Sequence, residues 1–261
     1  MTNQVLFLFG LYGFGLYFGL LFIRQLPLAL IGASGFLWGS LFWVMGGILL
    51  LITPISYTPL NMLILFIILG GGLGILHARN RTWNLSRKEI TDLLPIVILF
   101  LIILLLASRF NFSYVSSDSI EQLITGRRIA NEGLSKAVIE ALSLRGVYLS
   151  QLQSAAAFLG ADYLVAAQPA FAFTFALVFF FFSRKIISHL LTNQQLILAL
   201  TILASLALFS TYFILFQAFY IHNSLISAVY LFTGVSSFWL GVKEHTESLM
   251  ILGALGMLGF S

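Results

Sequence analysis

The sequence predicts an all-α, polytopic helical membrane protein with seven to nine spans and an extracytoplasmic loop of two short amphipathic helices. Three observations lead there. Hydrophobic residues make up 60% of the 261-residue chain and charged residues 8%, with a mean hydropathy of +1.03, whereas soluble domains carry about 25% charge. The charges are unevenly placed: residues 1–77 hold only Arg24, and residues 93–107 and 194–241 hold none. The apolar runs have the length, about 20 residues, that a helix needs to cross a bilayer, and they lack the two-residue alternation of barrel strands.

Read in order, the spans are Gln4–Ile23, Leu28–Ile52, Leu60–His77, Leu93–Ser108, Tyr163–Phe182, Leu196–Phe216 and Ser224–Gly241. Arg24–Pro27 separates the first two, and a turn with Pro54 and Pro59 precedes the third. The N-terminus lacks a basic region and a cleavage site, so the first span is a retained helix. Each of the first three spans contains small residues four apart, Gly15/Gly19, Gly35/Gly39 and Gly70/Gly74, which let helix backbones approach closely in lipid. Leu249–Ser261 is apolar but only 13 residues long. It reads as a chain stopping inside a further span, with a half-helix as the alternative.

Residues 78–92, ARNRTWNLSRKEITD, carry four basic side chains, and short basic loops stay cytoplasmic. Counting outward puts the N-terminus and residues 109–146 outside. Arg184 and Lys185 then fall inside if Val147–Ala161 stays on one side, and outside if it crosses. With Ser150, Gln151, Gln153 and Ser154, that segment reads either as a re-entrant helix or as a polar span lining a cavity. Residues 1–92 form an N-terminal three-span bundle with a basic cytoplasmic loop, and 93–261 form a second membrane region.

Cysteine is absent, which excludes disulfides, thiol catalysis and Cys-ligated metals. The net charge of +4 comes without a long basic run, so membrane lipid, and not nucleic acid, is the expected partner. His77, His189, His222 and His245 lack paired ligand spacing and read as interface anchors. The three Asn-x-Ser/Thr matches carry no weight, because two of them lie in the loop assigned to the cytoplasm.

Residues 109–146 hold nine charges and are where chemistry is expected. Ile120, Leu123, Ile124, Arg127 and Ala130 follow helical spacing, Gly133 stops that helix, and Ser135 caps a second one through about Ser143. Asp118 stands before the first helix with Glu121 three residues on, close to a capping box. Its carboxylate is either a cap or a group that deprotonates an acceptor hydroxyl or holds a divalent cation. Arg127, Arg128 and Arg145 either meet lipid phosphates along a membrane surface or clamp the phosphate of one lipid-linked ligand. Asp162, just before a span, reads as an interfacial cap.

From about Leu93 to Ile186 the chain resembles the GT-C membrane glycosyltransferases, which use polyprenyl-phosphate-linked sugars. The resemblance rests on an aliphatic span followed by Ser117-Asp118-Ser119-Ile120-Glu121 and on the helix from Gly126-Arg127-Arg128 to Gly133-Leu134. Arg145-Gly146 then opens a hydrophobic segment, and Leu159-Gly160-Ala161-Asp162-Tyr163-Leu164 leads into a span ending Ser183-Arg184-Lys185. It implies that 93–261 is a GT-C-like membrane region in a bacterial-type plasma (inner) membrane. Asp118 would be the catalytic or metal-holding carboxylate, and Glu121 would assist where many members carry two adjacent acids. Arg145, with Arg127 and Arg128, would bind the donor phosphate, and Val147–Ala161 would cross the membrane. The competing class is a non-catalytic polytopic protein, an assembly scaffold or a transporter. The nearly charge-free spans without matched halves count against ion-coupled transport.

Overall fold

The computed structural model describes residues 2–22, 26–78, 87–111 and 113–260. Most of the basic 78–92 loop lies outside the described residues, as do Arg24 and the side chains of His77, Asp118 and Arg145. The described chain is helical, with one isolated bridge between Tyr114 and Tyr220. Its helices are α1 (Thr2–Phe22), α2 (Leu28–Ile52), α3 (Pro59–Ala78), α4 (Arg87–Phe110), α5 (Ser117–Glu132), α6 (Lys136–Arg145), α7 (Tyr148–Phe158), α8 (Ala167–Ser188), α9 (Gln194–Phe209), α10 (Tyr212–Gln217), α11 (Asn223–Glu244) and α12 (Glu247–Phe260). Among the described residues, five stretches are long and apolar enough to cross a membrane: α1, α2, Ile90–Phe110, α8 and α11. Three shorter apolar stretches, Pro59–Gly72, Gln194–Phe209 and Glu247–Gly259, join them.

Small residues set the closest approaches, as expected where lipid supplies no hydrophobic drive between helices. A Cβ on Gly15 would overlap the Gly35 carbonyl, and one on Gly39 would overlap the Leu11 carbonyl, so α1 and α2 meet backbone to backbone. The glycines of α11 and α12 do the same: a Cβ on Gly253 would lie 2.8 Å from the Phe238 nitrogen. That pairing has no four-residue glycine spacing on α12, where Gly253, Gly256 and Gly259 recur every three. Aromatic side chains fill the wider gaps, with Phe100 stacked on Tyr12 at 4.3 Å and Phe171 edge-on to Phe36 at 4.9 Å.

The bundle has two distinct ends. At one, Gln4 bonds Tyr163 and Val165, and Tyr114 pairs with Phe219 and Ile221 through the backbone. At the other, Leu26, Thr91, Asp92, Arg184, Lys185, Gln194 and Glu244 surround one cavity. The end of α4 and the start of α8 share the first end, where Ser113 bonds the Val165 carbonyl. The intervening α7 has 11 residues, about 16 Å of helix against a hydrocarbon core of about 30 Å. It is too short to cross, contrary to what the GT-C resemblance implies, and Arg184 and Lys185 lie at the end opposite α7.

Two further spans differ from their sequence-predicted form. Leu196–Phe216 is interrupted at Ser210 and Thr211, whose hydroxyls bond back to the Ala207 and Leu208 carbonyls between α9 and α10. The span expected from Tyr163 begins at Ala167, with Pro169 inside its first turn, where a missing N–H costs nothing. The proposed boundary at residue 92 falls within α4.

Candidate functional site

The end opposite Arg184 is closed by α5, α6 and α7, and buried glutamines hold this cap together. Non-helical backbone at membrane depth must find internal partners. Gln4 donates to the Tyr163 carbonyl and accepts from the Val165 N–H, both at 3.1 Å, while Gln153 accepts from Leu164 N–H at 2.8 Å. Gln168 donates to the Tyr220 and His222 carbonyls, each at 2.7 Å. The polar residues of α7 are used in the same way. Ser150 donates to Gln122 at 2.6 Å and Gln151 donates to the Tyr57 hydroxyl at 2.7 Å. Ser154 meets the same Tyr57 hydroxyl at 2.6 Å. Burial pushes the Tyr57 and Tyr148 phenols above their ordinary range, so both remain neutral. The α7 side chains expected to line a cavity are therefore buried in internal hydrogen bonds.

Helix α5 packs with its small and polar face inward. Ser119, Gln122, Thr125 and Ile129 are buried, and a Cβ on Gly126 would sit 2.7 Å from the Ser150 carbonyl oxygen of α7. Ile120 and Ile124 are 48% and 47% exposed, so the apolar face looks outward. That arrangement suits a helix bordering lipid, with its hydrogen-bonding groups turned toward protein. Beside this face lies a groove of about 420 Å³ lined by Ile120, Leu123, Ile124, Arg127, Arg128, Asn131, Glu132, Asp162 and Tyr163.

The sequence-predicted residues are distributed as follows. Arg127 and Arg128 share the groove, and Arg127 donates to the Asp162 carboxylate at 2.8 Å. Asp162 is thus an ion-pair partner and not a cap, since α8 starts five residues later. Asp118 is not the α5 cap either. Ser116 holds that position, with its N–H bonded to Ser119 Oγ at 3.3 Å, and Asp118 is the second residue of the helix. Positions 118 and 127 are half a turn out of phase at 3.6 residues per turn, which sets them on opposite sides of α5. Glu121 is exposed at the start of the second turn of α5, and Arg145 is the last residue of α6. Ser135 caps α6 by accepting from Val138 N–H at 3.3 Å, and Gly133 ends α5 at φ +66°.

Among the described residues no group of three His, Cys, Asp or Glu is placed to hold a metal ion, and the Asp118 carboxylate lies outside that set. His222 accepts from Ser224 N–H at the start of α11, and His189 pairs with Glu244 at 2.9 Å. Neither role was read from the sequence, where both residues are isolated. No protein-family model, curated protein or solved structure matches the chain.

Proposed function

We propose that the protein is an integral-membrane, glycosyltransferase-like protein. It takes the phosphate of a polyprenyl-linked sugar donor in the groove beside α5 and passes the sugar to an acceptor on the extracytoplasmic side. The composition of the groove carries this reading. Arg127 and Arg128 border the outward-facing Ile120 and Ile124, so one amphiphile finds phosphate donors and apolar surface side by side. Arginine suits the role through its planar, bidentate geometry. Lys243, Arg184 and Lys185 stand at the opposite end of the bundle, where α4 begins, which supports a cytoplasmic assignment for that end. The α5–α7 cap then faces outward from a plasma (inner) membrane.

Within this reading Asp118 is the general base, or holds a divalent cation, with Glu121 assisting and Arg145 as a further phosphate ligand. The acceptor hydroxyl gives its proton to the Asp118 carboxylate as its oxygen attacks the anomeric carbon. The bond from that carbon to the phosphate oxygen breaks, and polyprenyl phosphate leaves with the electron pair, its charge met by Arg145, while Arg127 and Arg128 on the other side of α5 hold the lipid phosphate before or after transfer. The test supplies membranes with a panel of polyprenyl-phosphate sugars labelled in the sugar. Transfer of label to acceptor material is expected, with loss in Asp118→Asn at an unchanged protein level. Equal transfer by both proteins overturns the assignment.

One observation favours a second reading, a non-catalytic assembly scaffold: Arg127 is already paired with Asp162, and the polar side chains of α7 are engaged internally. The scaffold takes up no polyprenyl phosphate, and the binding measurements in the Discussion separate the two. Transport has less support, because the charges of the apolar Ile90–Phe110 stretch, Asp92 and Arg109, lie near its ends.

A further inference from the structure

A polar cavity lies at the end opposite the α5–α7 cap, between the starts of α2, α4 and α9 and the ends of α8 and α11. Its volume is about 670 Å³, within the range of about 300–1,000 Å³ typical of ligand sites. Four charged side chains line it, and they are not equivalent. Lys185 and Glu244 neutralise each other at 2.8 Å, with His189 adding a second contact to Glu244 at 2.9 Å. Asp92 and Arg184 line the same cavity, are both exposed, and make no ion pair among the described residues.

A cation and an anion that find no ion-pair partner among the described residues, facing a common space, complement a zwitterion. The apolar part of the lining that is not buried, including Pro27, Pro95 and Phe181, adds surface for a hydrocarbon chain beside the charges. We propose that this cavity is a headgroup site for a zwitterionic phospholipid bearing a primary ammonium. The Arg184 guanidinium takes the phosphodiester through paired N–H donors. The Asp92 carboxylate accepts from the ammonium, whose N–H donors a quaternary ammonium lacks. Lys185 is held back from the phosphate by Glu244, so a purely anionic headgroup would gain one cation and meet the Asp92 carboxylate. This site is independent of the function proposed for the other end, and its test uses no sugar donor.

The experiment reconstitutes the full chain into nanodiscs of phosphatidylethanolamine, phosphatidylglycerol and phosphatidylcholine in equal parts. Lipid retained on the released protein is then counted by native mass spectrometry. The expected result is preferential retention of phosphatidylethanolamine over both others, falling about five- to tenfold in Arg184→Gln and in Asp92→Asn, the scale of one net hydrogen bond at an exposed site. The double exchange Asp92→Arg with Arg184→Asp keeps both charges and restores part of the preference. Thermal unfolding in detergent confirms that each variant is folded, and both side chains are exposed enough to be replaced. Retention of phosphatidylglycerol equal to phosphatidylethanolamine, together with no effect of Asp92→Asn, overturns the proposal in favour of simple anion attraction. Displacement of the lipid by millimolar O-phosphoethanolamine overturns it in favour of a soluble ligand. Unchanged retention in both single variants overturns it outright.

Discussion

Asp162→Asn separates the two readings of the α5 groove by the sign of its effect. In the wild-type protein Arg127 and Asp162 meet at 2.8 Å, with side chains 54% and 89% exposed. At that distance the Coulomb term is about 1.5 kcal/mol in water, and solvent screening with side-chain ordering reduces exposed pairs to about 0.2–1 kcal/mol. Removing the charge of Asp162 therefore costs little stability. At roughly 2–4 °C per kcal/mol for a chain of this size, the melting temperature falls by no more than a few degrees. Its effect on binding is the opposite. A phosphate arriving in the groove must compete with Asp162 for Arg127, so neutralising Asp162 tightens phosphate binding by about 1.5- to 5-fold, the same energy range converted to a ratio. Arg127→Gln loosens binding, and both effects shrink between low and high salt because the groups are exposed. The assay is titration of a fluorescent polyprenyl monophosphate against the protein in nanodiscs. Weaker or unchanged binding in Asp162→Asn, with no loss in Arg127→Gln, refutes the idea that the ion pair holds a phosphate ligand in readiness.

Three other outcomes test the frame around the groove. Gln153→Leu removes the acceptor of the buried Leu164 N–H and should lower stability by about 1–3 kcal/mol, read as a drop in melting temperature in detergent. Gly126→Val forces a side chain against the Ser150 carbonyl. It should part α5 from α7 and lower both melting temperature and polyprenyl-phosphate affinity, whereas Gly10→Ala, with open space around its Cβ, should leave both unchanged. Ser119→Ala loses the bond to the Ile221 carbonyl and the acceptor of the Ser116 N–H. A cost of about 0.5–2 kcal/mol is expected, with faster hydrogen exchange over the first turn of α5.

The parts of this fold legible in the sequence are those that depend on local signals. Charge-free runs marked α1, α2 and α11, while Gly133 and Ser135 marked the break between α5 and α6, because a left-handed stop and a hydroxyl cap need no distant partner. The Asp118 cap failed for the opposite reason. Ser116 is fixed as the start of α5 by a 2.7 Å contact with Tyr220, and Ser119 by a 2.7 Å bond to Ile221, both about a hundred residues away in the chain. The polar face of Val147–Ala161 signalled an unusual segment, yet which groups it satisfies depends on Tyr57, Gln122 and Leu164 from three other places. The break between α9 and α10 left no mark in hydropathy, since Ser210 and Thr211 are tolerated in an apolar run. In the groove, Arg127 was legible from helical spacing and Arg128 as the charge beside it. Asp162 was visible as a charge but not as their partner: the turn through Gly160 closes locally, with Gly160 N–H bonded to Ala157 and Ala161 N–H to Ala156, but that α5 lies beside it is a tertiary contact.

The claim that the groove beside α5 receives a polyprenyl phosphate is tested most directly by photo-crosslinking. A polyprenyl monophosphate carrying a diazirine near its phosphate is irradiated with the protein in nanodiscs, and the labelled peptides are mapped. Label concentrated in residues 117–132 and 160–165, displaced by excess unmodified polyprenyl monophosphate and lost in the Arg127→Gln/Arg128→Gln double variant, is the predicted result. Label spread over the lipid-facing surfaces of α4 and α9, and untouched by competitor, contradicts it.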